Sequence, residues 1–439
     1  MSVLRSVRVA IVGGGIMGCS VAYRLSKSAS SSVRFDVTII EACEDVAVGA
    51  SGKAGGFLAR NWCDGEPMGP LVHASFDMHA AFAEEVGAST IGYRRLDTVS
   101  AGEASTSRRP PAQYLDGPGV SYSPIGNESN CVQVTPELLT RKLLELAQAT
   151  GQVQLLLNSY VRGIRVEERK PDADPAGPFH ISISKSPEQS ETLPPFDHVV
   201  FACGAWAPEA ASTWFPPDVM PQRFPADGKK ITPCLATSIV LNPVAQPPVV
   251  SKHAVFSGLA HKHEGCDAEI YPRPDGTVYV CGFTSATPLT QTPATAPVNE
   301  IACEKLHKYA GQMMTCVAPG KMRLEKKQSC YLPIPPDGRT PLIGKLPLLG
   351  DLTGAAWIAA GHSCWGILNC HGTGVLIEQM ISRFEMNTTT QATAGALPAY
   401  AKAFDPVLFM ESAHAADSRR KNPASKLGGL SSTGDEELL

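Results

Sequence analysis

Three glycines spaced as Gly13-x-Gly15-x-x-Gly18, with the acid Glu41 following 23 residues after the last, carry the clearest chemical signal in this sequence. They stand between an apolar, β-branched run, Val7 to Val12, and a segment with helical spacing at Met17, Val21, Ala22 and Leu25. A turn of this kind receives a dinucleotide. Gly13 permits the tight turn, Gly15 lets the backbone approach a pyrophosphate, and Gly18 lets the helix pack on the strand. Ile16 and Met17 open that helix, whose first N–H groups and positive dipole end meet the phosphates. Glu41 ends the second strand, FDVTIIE. Its carboxylate can accept hydrogen bonds from both ribose hydroxyls of an adenosine, and it disfavours a 2′-phosphate. The bland alternative is a glycine-rich turn of some other α/β fold, which leaves the terminal acid without a purpose.

The glycine turn alone does not choose between a nicotinamide and a flavin dinucleotide. About ten residues past Glu41, the loop GASGKAGG offers the Ser51 hydroxyl and several N–H groups. That suits the far side of a pyrophosphate that stays bound, and so favours FAD.

The elements that must hold these residues form a βαβ unit at the start of the chain. A helix is expected from Pro67 to Val86, and another from Pro136 to Thr150 with Thr135 as its N-cap. Ser100 to Asn130, rich in Ser, Pro and Gly, reads as surface loop. VQLLL, YVRGIRVEE, His180 to Ser184 and DHVVFACGAW read as strands. From Phe224 to Ser329 short strands alternate with Pro and Gly turns around one helix, Val298 to Met314, which is the pattern of an inserted antiparallel sheet. The α/β style returns with RTPLIG and AAWIAAGHSCWG and with a helix expected from Thr373 to Phe384. No internal repeat is present.

Composition narrows the function. The chain has 439 residues and a formal charge of −4, so a nucleic-acid partner, which needs a basic face, is not expected. No run reaches the ~18 apolar residues of a membrane helix. The 13 cysteines contain no CxxC pair, and His261-x-His263 lacks further ligands at useful spacing, so no metal site is expected. Thiols of this kind, and no separate leader before Val7, make the cytoplasm the expected compartment.

VRVAIVGGGIMG, GASGKAGG, DHVVFACGAW, CYLPIPPDGRTPLIG and AAGHSCWGILNCHGTG together resemble the D-amino-acid-oxidase-like FAD oxidoreductases, the group of glycine oxidase and sarcosine oxidase. The resemblance covers Val7 to Arg383 and is nearest an uncharacterised eukaryotic branch. It implies an α/β fold in which a Rossmann-like FAD-binding domain (1–65, 131–215 and 331–390) is interleaved with an antiparallel-sheet substrate domain (66–130 and 216–330). A C-terminal extension, 391–439, follows and is expected to be flexible from about 412. It also implies FAD contacts at Ser51, Gly55 or Gly56, Val161, Gly204, Trp206, Gly344, Gly361, Gly366 and Ile367, beside the first glycines and Glu41. A helix starting near Thr373 would stabilise negative charge on the reduced flavin.

Other features bear on chemistry. Cys330 stands six residues before Pro336-Asp337, the spacing at which sarcosine oxidases bond their flavin. Its plain alternative is an unbonded cysteine beside the flavin, as in the many relatives that bind FAD non-covalently. A carboxylate substrate would need a forked cation, for which Arg60 and Arg273 are the candidates. His362 could act as an acid–base or oxygen-side group, or simply hydrogen-bond its loop. Trp365 could stack over substrate or fill core, and His371 has no evident place. Leu368 replaces a lysine that sarcosine oxidase uses for the carboxylate, which argues against sarcosine. The resemblance therefore implies oxidation of a C–N bond in an amino acid or small amine, with oxygen as acceptor. The rivals are a dehydrogenase passing electrons to a quinone or protein, and an FAD-holding regulatory protein without turnover. Oligomeric state is not encoded in any motif.

Overall fold

The computed structural model describes residues 5–28, 33–103, 112–167, 177–186, 189–220, 230–244, 251–350, 352–389 and 397–407. The expected flexible tail lies outside them.

Val7 to Val12 form the middle of a six-stranded sheet. Its order is Leu342–Lys345, Ala355–Ala360, His198–Phe201, Arg5–Val12, Val33–Ile40, Val153–Leu156. All neighbours run parallel except the edge strand Leu342–Lys345. Apart from Arg8, which pairs with Asp197, the run is apolar on both faces because both are covered. Val7, Val9 and Ile11 enter one core with helices Ile16–Ser26, Gly69–Val86, Pro136–Gln148 and Gly366–Thr389. Ala10 and Val12 enter another, with strands Tyr160–Val166 and Phe179–Ser186 and helix Ala207–Trp214. Each fully buried Val, Ile or Leu contributes about 1.5–3 kcal/mol.

The second layer is a seven-stranded sheet, ordered Met322–Ile334, Thr232–Pro243, Val278–Ser285, Glu269–Pro272, His253–Ser257, Asp97–Glu103, Val120–Gly126. One face packs on helix Glu300–Met313 through Ile239, Val255, Ile270 and Val280. The other carries Val240, Tyr271 and Tyr279 and meets Ala59 and Leu96.

Three expectations are corrected. Ser100 to Asn130 is not all loop: Asp97–Glu103 and Val120–Gly126 pair as a hairpin at the edge of the seven-stranded sheet. The second strand is half-exposed and contains Pro124, so it shows no apolar alternation. Helix Gly69–Val86, grouped with the sheet domain by a boundary at residue 66, packs instead in the core of the parallel-sheet layer, because Leu71, Val72, Phe76 and Phe82 face it. The last helix begins at Gly366, not near Thr373. Gly372 and Gly374 lie inside it, where neighbouring helices press close: an added Cβ would stand 2.6 Å from Leu71 Cδ1 or 2.6 Å from Ser20 Oγ.

Candidate functional site

A cleft of about 1280 Å³, open to solvent, lies where strands Arg5–Val12, Val33–Ile40, His198–Phe201 and Ala355–Ala360 end. This is the crevice beyond the carboxyl ends of a parallel sheet, where such folds bind ligands.

The glycine turn forms one wall. Gly13 has φ of +110°, a conformation glycine takes without strain. A Cβ on Gly18 would lie 2.0 Å from Gly13 O, so only glycine lets this helix seat on its turn. The turn is fastened by two side chains found in the sequence. Glu41 accepts from Gly14 N–H at 2.6 Å and from Cys43 N–H at 2.9 Å. Ser51 Oγ accepts from Ile16 N–H at 2.8 Å. Met17 and Gly18, in the first helical turn, have N–H groups with no acceptor inside the helix.

Of the residues singled out from sequence, Gly13, Gly15, Ile16, Met17, Glu41, Ser51, Val161, Gly204, Trp206, His362, Gly366 and Ile367 all line this cleft. Trp206 is held by its Nε1, which donates to Thr290 O at 2.8 Å, and by an edge-on contact with Tyr331. His362 is buried, and its Nε2 lies 3.1 Å from Thr373 Oγ1. Burial pushes its imidazole down to about 3, so it is neutral at ordinary pH. The start of helix Gly366–Thr389, not Thr373, presents N–H groups to the cleft.

The remaining candidates do not line it. Gly18 lies behind the turn. Gly55 sits under the sheet, where a Cβ would meet the Tyr271 ring at 2.4 Å. Gly56, at φ +82°, abuts Val134 O, and Gly361, at φ +80°, forms the turn after strand Ala355–Ala360. Gly344 belongs to the edge strand and faces Pro406. Trp365 packs on the core of the parallel-sheet layer. Arg60 is a surface residue in a two-pronged pair with Asp77, at 3.2 and 3.3 Å. Arg273 is buried over the Tyr279 ring, and burial lowers its guanidinium below its usual value. Neither arginine is placed to hold a substrate carboxylate in the cleft. Cys330 is buried one residue from the wall formed by Tyr331, Leu332 and Pro333. Burial pushes its thiol up to about 11, although Lys53 pulls the other way.

Sequence reasoning missed Cys203, Ser363 and Cys364 in the lining. Ser363, at φ +48°, holds a backbone conformation unusual for a residue with a side chain. No pattern of residue types announces it. His371, unplaced from sequence, meets His79 edge-on at 4.5 Å between ring centres, with Cys370 alongside; the ligand-capable atoms of these three lie within 4.8 Å of one another. His79 Nε2 lies 2.9 Å from Ile367 O and 3.1 Å from Leu368 O, so it clamps the first turn of the helix that borders the cleft. Among the described residues no helix is long and apolar enough to cross a membrane.

The family of FAD dependent oxidoreductases matches residues 8–380. A Schizosaccharomyces pombe protein, named only provisionally as an oxidoreductase, is 27% identical over 391 residues, which is 86% of this chain and 94% of that one. Among solved structures, glycine oxidase from Bacillus cereus superposes with a TM-score of 0.63 at 16% identity, covering 86% of this chain and 97% of its own. L-proline dehydrogenase from P. horikoshii gives a TM-score of 0.63 at 17% identity, covering 93% and 98%. At such identities the likeness is one of fold. The glycine turn, the carboxylate at the end of the second strand and the cleft they line at the strand ends fit the flavin dinucleotide. The chain belongs to the FAD-dependent oxidoreductase family, and its cofactor is FAD.

Proposed function

We propose that this protein oxidises a C–N bond of an amino acid or small amine and passes the electrons to oxygen. The observation that carries the reading is the wall beside Met17: a neutral, buried His362 and the helix start at Gly366, both lining the cleft. Amine oxidation of this kind needs orientation more than acid–base machinery. The names of the glycine oxidase and the L-proline dehydrogenase, which share the fold, point to amino-acid substrates.

FAD, when bound, supplies a two-electron acceptor for hydride. The chain supplies the rest. Gly13 and Gly15 admit the pyrophosphate, with Ser51 and Glu41 keeping their turn in shape. Val161, Gly204 and Trp206 border the same cleft farther along. The N–H groups at Gly366 and Ile367 stabilise negative charge that develops near them. His362, held by Thr373, fixes the loop and does not exchange protons at neutral pH.

Anaerobic mixing of the FAD-loaded protein with a panel of amines and amino acids tests the reading. The expected result is bleaching of the flavin band by at least one compound, with colour and oxygen uptake returning on aeration. Bleaching that only a dye or quinone reverses would replace oxygen with another acceptor. A flavin that no amine bleaches would remove the C–N reading.

A further inference from the structure

Register in the seven-stranded sheet places Gln328, Ser238, Cys281, Glu269 and Phe256 side by side across five strands. They share the face that also carries Tyr271 and Tyr279, two residues along their strands, and so face away from helix Glu300–Met313. The flanking strand Met322–Ile334 runs on from Gln328 into Tyr331, Leu332 and Pro333 of the cleft wall.

Glu269 is the one carboxylate in the row. Its Oε2 accepts from Tyr271 Oη and from Cys281 Sγ, the latter at 3.5 Å. Among the described residues no lysine or arginine pairs with it. Lys53 stands at the opposite end of the row, its Nζ donating to Ser329 O at 3.1 Å. Burial raises the Glu269 carboxyl above its usual range, and its charge adds to burial in raising the thiol of Cys364, a residue of the cleft lining. The ring of Tyr271, the hydrogen-bond partner of Glu269, packs on Gly55, the residue after Ala54 of the cleft lining. Around it, Phe57, Trp62, Phe256 and Tyr271 pack ring to ring with centres 5.0–5.7 Å apart.

We infer that Glu269, with this aromatic cluster, forms the binding site for the positively charged nitrogen of an amine substrate that needs no carboxylate. The inference rests on the amine-oxidation reading above and narrows its substrate. A part-buried carboxylate with hydrogen bonds but no cationic partner leaves its charge uncompensated, and a substrate cation supplies the missing charge. Aromatic faces favour the same ligand. The two arginines that could have received a carboxylate are engaged elsewhere, Arg60 at the surface with Asp77 and Arg273 over Tyr279.

The test uses full-length, FAD-loaded protein under anaerobic conditions. Flavin absorbance is followed while n-butylamine, benzylamine or putrescine is titrated in, and in parallel glycine, N-methylglycine or L-proline. At least one carboxylate-free amine should perturb the flavin band with saturation. Glu269→Gln should raise its apparent Kd tenfold or more at unchanged FAD content, and Glu269→Asp, which keeps the charge, should lie between. Perturbation by amino acids alone, equal binding by Glu269→Gln and Glu269→Asp, or no perturbation by any amine would each overturn the site. Saturating perturbation without bleaching would keep the site and remove the oxidation reading. Bleaching by amino acids that Glu269→Gln does not alter would do the reverse.

Discussion

Glu41 acts first on its own backbone. Its carboxylate accepts the N–H groups of Gly14 and Cys43, so its charge holds the glycine turn open to the cleft as well as presenting an acceptor there. Glu41→Gln places an amide N–H where a carboxylate oxygen met a backbone N–H. A hydrogen bond to a charged group is worth about 1.5–3 kcal/mol. FAD affinity, measured by quenching of flavin fluorescence, should fall about tenfold or more; an unchanged Kd would show that the turn stands without it. Cys330→Ser, by contrast, should keep its flavin, and acid precipitation should release flavin from the unaltered protein. The raised thiol and its place one residue behind the cleft wall argue for packing, and flavin remaining in the pellet would show a bond. At this scale the sequence picked out the glycine turn and the acid that line the cleft, because close backbone approach admits only glycine and a strand-end acid is a local signal. It could not rank arginines, whose role depends on what lies across the fold: Asp77 for Arg60 and Tyr279 for Arg273.

Helix Gly366–Thr389 joins the cleft to the opposite ends of the sheet's central strands. Its start borders the cofactor site. Nineteen residues later, the buried Glu385 lies 2.8 Å from His198 Nε2 and 2.7 Å from Arg5 Nη1. His198 in turn sits on a central strand, with Nδ1 near Trp357 Nε1 at 3.3 Å. Removing Glu385 leaves the buried His198 ring without its acceptor, while the half-exposed Arg5 can turn to water, at about 1–3 kcal/mol. Glu385→Ala should lower stability by that order in denaturant titrations while Glu385→Gln costs less. A loss below about 1 kcal/mol in the alanine variant would mean the network relaxes into water. The expected start near Thr373 fell short because Gly372 and Gly374 read as loop residues, glycine being poor in helix interiors. Their use is tertiary, at the contacts with Leu71 and Ser20, and no local pattern displays such a contact. The hairpin Asp97–Glu103 with Val120–Gly126 was hidden for a related reason, since an edge strand needs no apolar alternation.

The molecule as a whole keeps several imidazoles out of water. His79 is pushed down to about 4, His362 to about 3, and His371 well below its usual range, each chiefly by burial. Their folded values lie below the 6.5 of a free imidazole, so the unfolded chain takes up these protons first as pH falls. Stability is complete above about 6.5 and drops below it, at about 1.4 kcal/mol per pH unit for each such histidine. The drop ends only where His79 and His362 themselves begin to titrate, near 4 and 3. Melting curves should therefore show a Tm at about pH 5.5 several degrees below that at pH 7, and a flat profile across that window would contradict the burial. The two-layer plan could be read from composition shifts along the chain. The allegiance of helix Gly69–Val86 could not, because its apolar face suits either layer until the partners Ile367 and Leu368 are brought near.

All thirteen cysteines are free, and two of them, Cys203 and Cys364, face the cleft. Withdrawal from water holds the Cys203 thiol up to about 12, and the Cys364 thiol is raised as well although that residue is exposed towards the open cleft. Sulfur reacts with oxidants as the thiolate, and these groups are almost never in that form at neutral pH. An enzyme that hands electrons to oxygen releases peroxide into its own cavity. With oxygen as the acceptor proposed above, protonated thiols lining the cleft would meet that peroxide in their less reactive form, so tolerance of the by-product would be a matter of proton affinity rather than of scavenging.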